Sequence, residues 1–216
     1  MSEIAEAFRT GGIWMYVILV VSIVAIGVVI ERFIFLFFKY NINANTFMAQ
    51  IQKLVMANNI DRAIKLCNAA PSAALPKVIK AGLTRANKGE VEIQNALEEA
   101  TLEVVPQIVK RTASLQQLAN IATLLGLLGT IIGLIEAFAA LKSATPDKRQ
   151  ELLSAGIALA MNTTAFGLIV AIPCLVAYMM LAGMTKKIID EIDQHAVKLE
   201  NLLVSRGKGG TNPLEK

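Results

Sequence analysis

Residues 152–185 read LLSAGIALAMNTTAFGLIVAIPCLVAYMMLAGMT and contain no Asp, Glu, Lys, Arg or His in 34 positions. About 20 apolar residues in a helix cross the hydrocarbon core of a bilayer, so this stretch is long enough to span a membrane. Three adjacent polar residues, Asn162, Thr163 and Thr164, lie in its first half. Because hydrocarbon offers amides and hydroxyls no partner, we expect this side of the helix to face protein or water.

Two further stretches without charge predict two more spans. The first covers residues 13–30 and is closed by the Glu31-Arg32 pair; the second covers residues 112–135 and continues to Leu141. No basic segment precedes the first stretch and no small-residue cleavage site follows it, so it is interpreted as a retained helix rather than a signal peptide. Hydrophobic residues make up 55% of the chain and the mean hydropathy is +0.55, as is typical of membrane proteins.

The distribution of Lys and Arg predicts the orientation of the spans. Eleven lie in residues 31–111 and six follow residue 185, against one before the first span and three in residues 136–151. The positive-inside rule therefore places the long loop and the C-terminal tail in the cytoplasm. The predicted order is an external N-terminus (1–12), span 1 (13–30), a cytoplasmic helical region (31–111), span 2 (112–141), a short external link (142–151), span 3 (152–185), a cytoplasmic helix (186–206) and a disordered tail (207–216).

Apolar stripes at helical spacing extend two of the spans into the cytoplasm. One runs from Ile93 to Ile108 and leads into span 2, with a kink expected at Pro106; another follows span 3 as far as Leu203. The predicted fold class is thus an all-α membrane protein with three transmembrane helices, the second and third of which extend into a cytoplasmic helical bundle. His195, the one histidine of the sequence, has no Cys or acid at ligand spacing, and we expect it to be a solvated helix residue.

Composition and motifs exclude several classes of function. The net charge of +4 reflects topology, and no basic stripe interleaved with aromatic residues indicates nucleic-acid binding. The sequence has no P-loop, dinucleotide fingerprint or nucleophile elbow, so neither an enzyme nor a cofactor or metal site is predicted.

The second and third spans each carry a narrow face of small and hydroxyl side chains. One interpretation is close helix packing, with these residues at the contact: Gly126, Gly129, Gly133, Gly156, Gly167 and Pro173. The other is an ion path. Thr130 lies 11 residues from Leu141 and Thr164 lies 12 from Leu152, which puts both hydroxyls about 17 Å deep. Repeated around an oligomer, such hydroxyls can hydrogen-bond water or coordinate a cation; the candidates are Thr130, Thr164, Thr163, Asn162 and Thr123.

Hydroxyls do not titrate near neutral pH, and proton relays are normally built from ionisable groups. Residues 112–135 and 152–185 hold no Asp, Glu, Lys, Arg or His. If the chain conducts protons, another subunit must supply the carboxylate. Glu136, at the outer boundary, could attract cations to a pore mouth, although an ordinary interfacial charge is the simpler interpretation.

Two motifs resemble the signature helices of the MotA/TolQ/ExbB proton channel family. Residues 122–134 read ATLLGLLGTIIGL and residues 162–173 read NTTAFGLIVAIP. With the long cytoplasmic insert and three spans, the chain is most similar to the ExbB/TolQ branch. The resemblance implies a homopentamer in the bacterial inner membrane, with its external segments in the periplasm. The pore would enclose two copies of a single-span partner similar to ExbD, TolR or MotB, each with an essential Asp, and proton flow would drive rotation.

The resemblance also assigns residues. Thr130 and Thr164 match the threonines that line the proton path in the family, whereas Leu159 stands where relatives often have Glu. Because of that difference, Na⁺ is an alternative to H⁺ as the coupling ion. No other cofactor is expected. A structural membrane scaffold without conduction is the alternative from another class. The process that is powered, whether outer-membrane uptake, envelope maintenance or gliding, stays open because its specificity lies in the partner.

Overall fold

A computed structural model describes residues 12–40, 42–143 and 145–209. These residues form helices and short turns, with no strand in the described part of the chain. The helices are α1 (Gly12–Ile34), which passes into a π-helical segment (Phe35–Tyr40), then α2 (Ala44–Met56), α3 (Ile60–Asn68), α4 (Ala74–Thr84), α5 (Glu90–Val109), α6 (Thr112–Ser143) and α7 (Pro146–Gly209).

Three helical stretches are long and apolar enough to cross a membrane, namely Gly12–Phe37, Glu90–Lys142 and Pro146–Gly207. In their most apolar windows only 17 to 28% of the residues are buried within the chain. Most of this apolar surface is therefore uncovered, which suits contact with lipid or with other subunits rather than with water. The chain is an all-α membrane protein with three candidate membrane-spanning helices, as the charge-free stretches predicted.

The chain divides into two compact units. The first contains the described residues up to Arg32 together with Arg111–Met180, and it holds α1, α6 and the first part of α7. Its core consists mostly of small residues, which allow helices to approach closely: Ile18, Ala25, Ala119, Ala122, Val170, Ala171 and Cys174.

The second unit contains Phe33–Lys110 and the described residues from Leu181 onward. Here α2 to α5 and the last part of α7 bury apolar stripes at helical spacing, among them Ile51, Ile79, Leu97, Leu199 and Leu203. Arg206, near the end of α7, donates hydrogen bonds to the Asn58 side chain (3.2 Å), the Ala86 carbonyl (3.4 Å) and the Asn87 side chain (3.1 Å). These bonds hold the end of α7 against two interhelical turns of the same unit.

Helix boundaries differ from the predicted ones in three places. The stripe leading into span 2 is interrupted, because α5 ends at Val109 and Arg111 adopts a left-handed φ of 63° before α6 begins. Helix α7 begins at Pro146, inside the predicted link 142–151. It continues to Gly209, so 207–209 are helical rather than disordered, while 1–11 and 210–216 lie outside the described residues.

His195 differs from the expectation as well. It is buried, with 3% of its surface exposed, and its Nδ1 atom has no hydrogen-bond partner among the described residues. Burial lowers the pKa of its imidazole; nearby Lys198 lowers it further and Glu191 raises it. The expectation of a solvated residue was wrong because His195 lies on the buried stripe of α7, next to Ala196 and one turn before Leu199.

Candidate ion-path site

Close contact between α6 and α7 positions the predicted site. A Cβ atom added at Gly167 would lie 2.8 Å from the Ala122 carbonyl oxygen and 3.0 Å from the Gly126 Cα. A Cβ atom at Gly126 would lie 3.1 Å from the Thr163 carbonyl oxygen. The first of these distances is shorter than real Cβ contacts, and the other two are tighter than nine in ten of them. Glycine at these positions therefore allows the two backbones to approach closely.

The contact continues along both helices. A Cβ atom at Gly129 would lie 2.9 Å from the Cβ of Thr163, and one at Gly156 would overlap the side chain of Ala137. At Gly133 the added atom would meet Ala160 at 3.5 Å, an ordinary van der Waals distance. The structure thus brings the five predicted packing glycines to one helix contact. Pro173, the sixth predicted packing residue, is exposed on α7, and its part in packing stays a prediction.

Thr130 and Thr164 meet in the middle of this contact. Their hydroxyl oxygens are hydrogen-bonded to each other, and either can be the donor. The Thr130 hydroxyl also lies 3.0 Å from the Gly126 carbonyl oxygen and 3.1 Å from that of Ala160, while the Thr164 hydroxyl lies 3.3 Å from the Gly126 carbonyl oxygen. Both threonines are half-buried. The site is therefore a cluster of two hydroxyl and two carbonyl oxygens at the helix contact.

The other predicted path residues surround this pair. Thr163 is buried, and its hydroxyl donates to the Ala160 carbonyl at 2.8 Å. Thr123 is exposed on α6 two helical turns before Thr130, with its hydroxyl donating to the Ala119 carbonyl at 3.1 Å. Asn162 is half-buried, and Glu136 is exposed on α6 beyond the hydroxyl pair. The roles assigned to these four residues stay predictions.

Two members of the oxygen cluster, the carbonyls of Gly126 and Ala160, were not predicted. A sequence signal for them exists, since each stands four residues before one of the paired threonines and has little or no side chain to cover its carbonyl. Chemically, the cluster can hydrogen-bond water or supply oxygen ligands to a cation, but it cannot release or take up a proton near neutral pH. No group of three or more His, Cys, Asp or Glu residues suited to a metal ion occurs among the described residues.

Comparison with known proteins shows that this chain is similar to one protein family. A sequence profile of the MotA/TolQ/ExbB proton channel family matches residues 70–194, which include all of α6 and most of α7. The chain is 30% identical over 168 residues to putative biopolymer transport protein ExbB-like 3 of Synechocystis sp., an alignment that covers 76% of this chain and 78% of the relative.

Two further relatives have lower identity or shorter matches. Over 192 residues the chain is 26% identical to a putative biopolymer transport protein ExbB homolog of Methanothermobacter thermautotrophicus, covering 88% of this chain and 66% of the relative. Over 95 residues it is 34% identical to the Tol-Pal system protein TolQ of Haemophilus influenzae, covering 44% and 40%.

Proposed function

This chain belongs to the MotA/TolQ/ExbB proton channel family, in its ExbB/TolQ branch, and from that premise we propose that it is the channel-forming subunit of a proton-driven motor. In this proposal it resides in the bacterial inner membrane, with its N-terminus in the periplasm and its C-terminus in the cytoplasm. Several copies, five by the family resemblance, surround two copies of a single-span partner similar to ExbD or TolR. The complex delivers work to the periplasm or outer membrane.

The Thr130–Thr164 hydroxyl pair is the observation that carries the proposal. Four oxygen atoms gather where two helices touch, in stretches that contain no charged side chain. A site of this kind can pass water or a cation between neighbours without trapping it by charge. Because nothing in the site titrates near neutral pH, the proton carrier must be a carboxylate of the partner, an Asp in its single span.

The energy available is sufficient for mechanical work. Each elementary charge that moves through 100 mV releases about 2.3 kcal/mol. A few protons per step therefore deliver several times the thermal energy to the moving subunit. The chain itself acts as a channel and motor component rather than an enzyme, and H⁺ is its coupling ion.

Sodium is the second candidate for the coupling ion, and one observation favours it. The cluster at Thr130 and Thr164 presents only oxygen atoms, the ligand type that hard cations prefer. By the family resemblance, Leu159 stands where relatives often have Glu. Ion substitution distinguishes the two ions. Work that persists in sodium-free medium and stops when the proton gradient is collapsed identifies H⁺.

A flux experiment tests the proposal. Proton entry is measured in cells that produce the chain alone, the chain with its single-span partner, and that pair with Thr164→Val. We expect flux only in the intact pair, because valine preserves the shape of threonine and removes the hydroxyl. Thr101→Val is the matched control, since the Thr101 hydroxyl also donates to a carbonyl of its own helix, that of Leu97 at 2.8 Å, but lies on α5.

Two outcomes contradict the proposal in different ways. Full flux and full work in the Thr164→Val pair would show that the hydroxyl pair is not on the ion path. Absence of both proton and sodium flux in the intact pair, with assembly unchanged, would favour a structural scaffold whose glycines only pack α6 against α7.

A further inference from the structure

A cleft of about 520 Å³ lies at the turn between α6 and α7, away from the hydroxyl pair. Two residues from the end of α6 and three from the start of α7 line it: Leu141, Lys142, Arg149, Gln150 and Leu153. All five belong to the same compact unit. The cleft thus combines two cationic side chains and one amide with two leucines, and the proposed function does not use it.

The charged residues around this turn are separated by side. Glu136 precedes Lys142 by six positions, which places it about 120° away around α6. Asp147 and Glu151 each lie two positions from Arg149, which places both about 160° away around α7. None of these three acids lines the cleft. The charge that the cleft presents is therefore positive.

Lys142 ends a line of exposed apolar residues on α6. At spacings of four and three, this line consists of Leu124, Leu128, Ile131, Ile135 and Phe138. We call these five residues the apolar row; between 39 and 62% of the surface of each is exposed. Gly133, which contacts α7, is nine positions from Lys142 and hence half a turn away around the helix. The apolar row is thus uncovered within the chain.

The apolar row has the length of one lipid leaflet. It ends at Leu124, because Asn120, four positions earlier on the same side, is polar. Glu136 marks the outer end of the charge-free stretch, so Ile135 lies at the border of the hydrocarbon. From Ile135 to Leu124 the row extends eleven residues, or about 17 Å, against about 15 Å for half of a bilayer's hydrocarbon core. The row therefore fits the acyl chains of a single leaflet.

The cleft lies at the level of the lipid headgroups. Lys142 follows Ile135 by seven residues, or about 10 Å along the helix, and the headgroup layer adds about 5 to 8 Å outside the hydrocarbon. A long lysine side chain readily spans the small difference by bending along the helix. The cationic side chains of the cleft can therefore meet the phosphates of the leaflet whose chains cover the row.

An anionic phospholipid matches both parts of this surface. Its phosphate accepts charge-assisted hydrogen bonds from lysine and arginine, and its acyl chains cover apolar side chains. By the predicted orientation this turn is external, where Lys and Arg are infrequent, so two of them at one cleft indicate a specific anion. A protein partner would need an acid and an apolar stripe at the same two depths, whereas every anionic phospholipid has that arrangement.

We propose that the cleft between α6 and α7 binds the phosphate headgroup of an anionic phospholipid in the external leaflet, with the acyl chains along the apolar row. Lys142 and Arg149 donate to phosphate oxygens, and the Gln150 amide donates a further hydrogen bond. Leu141 and Leu153 contact the glycerol end of the lipid. This site goes beyond the proposed function, since the lipid is a structural ligand that holds the turn at the headgroup level.

Photo-crosslinking tests the site without requiring ion flux. The full chain, purified with the subunits that assemble with it, is placed in phosphatidylcholine nanodiscs with a small amount of phosphatidylglycerol that carries a photoreactive group on one acyl chain. We expect cross-links within the apolar row. Excess unlabelled phosphatidylglycerol should reduce these cross-links at least about fivefold more than the same excess of phosphatidylcholine, because only the former is a net anion.

Two single variants provide a matched comparison. Lys142→Gln removes a cation from the cleft, whereas Lys148→Gln removes an exposed cation of the same link that does not line the cleft. Both variants change the net charge by the same amount. We expect cross-links in the apolar row to fall at least about fivefold in Lys142→Gln and to change less than about twofold in Lys148→Gln. Lys142→Arg keeps the charge and should retain the cross-links.

Four results would overturn the proposal. Equal cross-linking in Lys142→Gln and Lys148→Gln would mean that overall charge alone attracts the lipid. Equal competition by the two phospholipids would mean that the headgroup is not recognised, and displacement by inorganic phosphate would assign the cleft to a soluble anion. Cross-links in the isolated chain that disappear in the assembled complex would mean that another subunit covers the row. None of these results depends on proton flux, so this site and the proposed function are tested separately.

Discussion

Arg111 and Glu31 are 80 residues apart in the sequence, yet the Arg111 Nη1 atom lies 2.6 Å from both carboxylate oxygens of Glu31. This ion pair joins the end of α1 to the start of α6 within one unit. Arg111 has a φ of 63°. This left-handed backbone conformation is sterically unfavourable for any residue with a Cβ atom and is unstrained for glycine. The residue that ends one helix and begins the next is thus an arginine in a position where the backbone favours glycine.

Mutation can separate the two effects of Arg111 on stability, namely its ion pair with Glu31 and its backbone strain. Arg111→Ala removes the ion pair and keeps the left-handed backbone strain, whereas Arg111→Gly removes both. We therefore expect Arg111→Gly to be more stable than Arg111→Ala by about 1 kcal/mol, measured by unfolding of the purified protein in detergent. The ion pair itself contributes at most about 1 kcal/mol, since its side chains are 51 and 34% exposed. Equal stability of the two variants would mean that Arg111 is not strained.

Glycines in helices are expected to respond to alanine with opposite signs, depending on what they face. Gly167→Ala forces a methyl group against the backbone of α6, and we expect it to separate α6 from α7 and to lower the midpoint of thermal unfolding. Gly27→Ala is the matched control, because a Cβ atom at Gly27 meets nothing within 4 Å. In the isolated chain that control gains about 0.5 to 1 kcal/mol from better helix propensity. A tolerated Gly167→Ala would contradict the close contact.

The buried His195 makes the stability of its unit depend on pH. Because burial lowers the pKa of His195 below its ordinary value of 6.5, the unfolded chain takes up this proton before the folded chain as the pH falls. Stability is therefore full above about pH 6.5 and declines below it, until the pH passes the lowered pKa. Thermal unfolding between pH 7.5 and 5 measures the decline, and His195→Phe should make it shallower. An unchanged slope in that variant would assign the decline to other groups.

Cys67 is expected to be chemically inert in the folded protein. Burial raises the pKa of its thiol from 9.0 to about 11, against an opposing effect of the Lys80 charge. At pH 8 the thiolate fraction then falls about a hundredfold relative to an ordinary cysteine. Alkylation of Cys67 in a Cys174→Ala background should be correspondingly slow and should accelerate once denaturant unfolds the chain. Rapid alkylation under native conditions would indicate that this unit opens locally.

The spans and the level of the hydroxyl pair follow from simple counting along the sequence. Charge-free stretches of sufficient length predict spanning helices, and a fixed rise per residue predicts that Thr130 and Thr164 lie at one depth. The structure brings their hydroxyls into contact. Whether these two residues line an ion path stays a prediction, because packing alone also places small residues along this contact.

Two other features, the helix break at Arg111 and the burial of His195, could not be predicted by counting along the sequence. The break at Arg111 depends on an unfavourable backbone conformation, which residue propensities do not encode. The burial of His195 depends on which side of α7 the other helices cover. By contrast, the start of α7 at Pro146 can be predicted from the sequence, because Pro146 followed by Asp147 is a typical helix beginning. The predicted link 142–151 did not take this signal into account.

The Thr130–Thr164 hydroxyl pair has fewer hydrogen-bond donors than acceptors. Thr130 and Thr164 bring two O–H bonds, while the Gly126 carbonyl, the Ala160 carbonyl and the two hydroxyl oxygens all lie within reach as acceptors. In one arrangement Thr164 donates to Thr130, which donates to a carbonyl; in the other Thr130 donates to Thr164, which donates to Gly126. The two arrangements interconvert by rotation of two O–H bonds while every heavy atom stays in place. The contact between α6 and α7 can thus reverse its local dipole while the backbones that the glycines bring together stay in place.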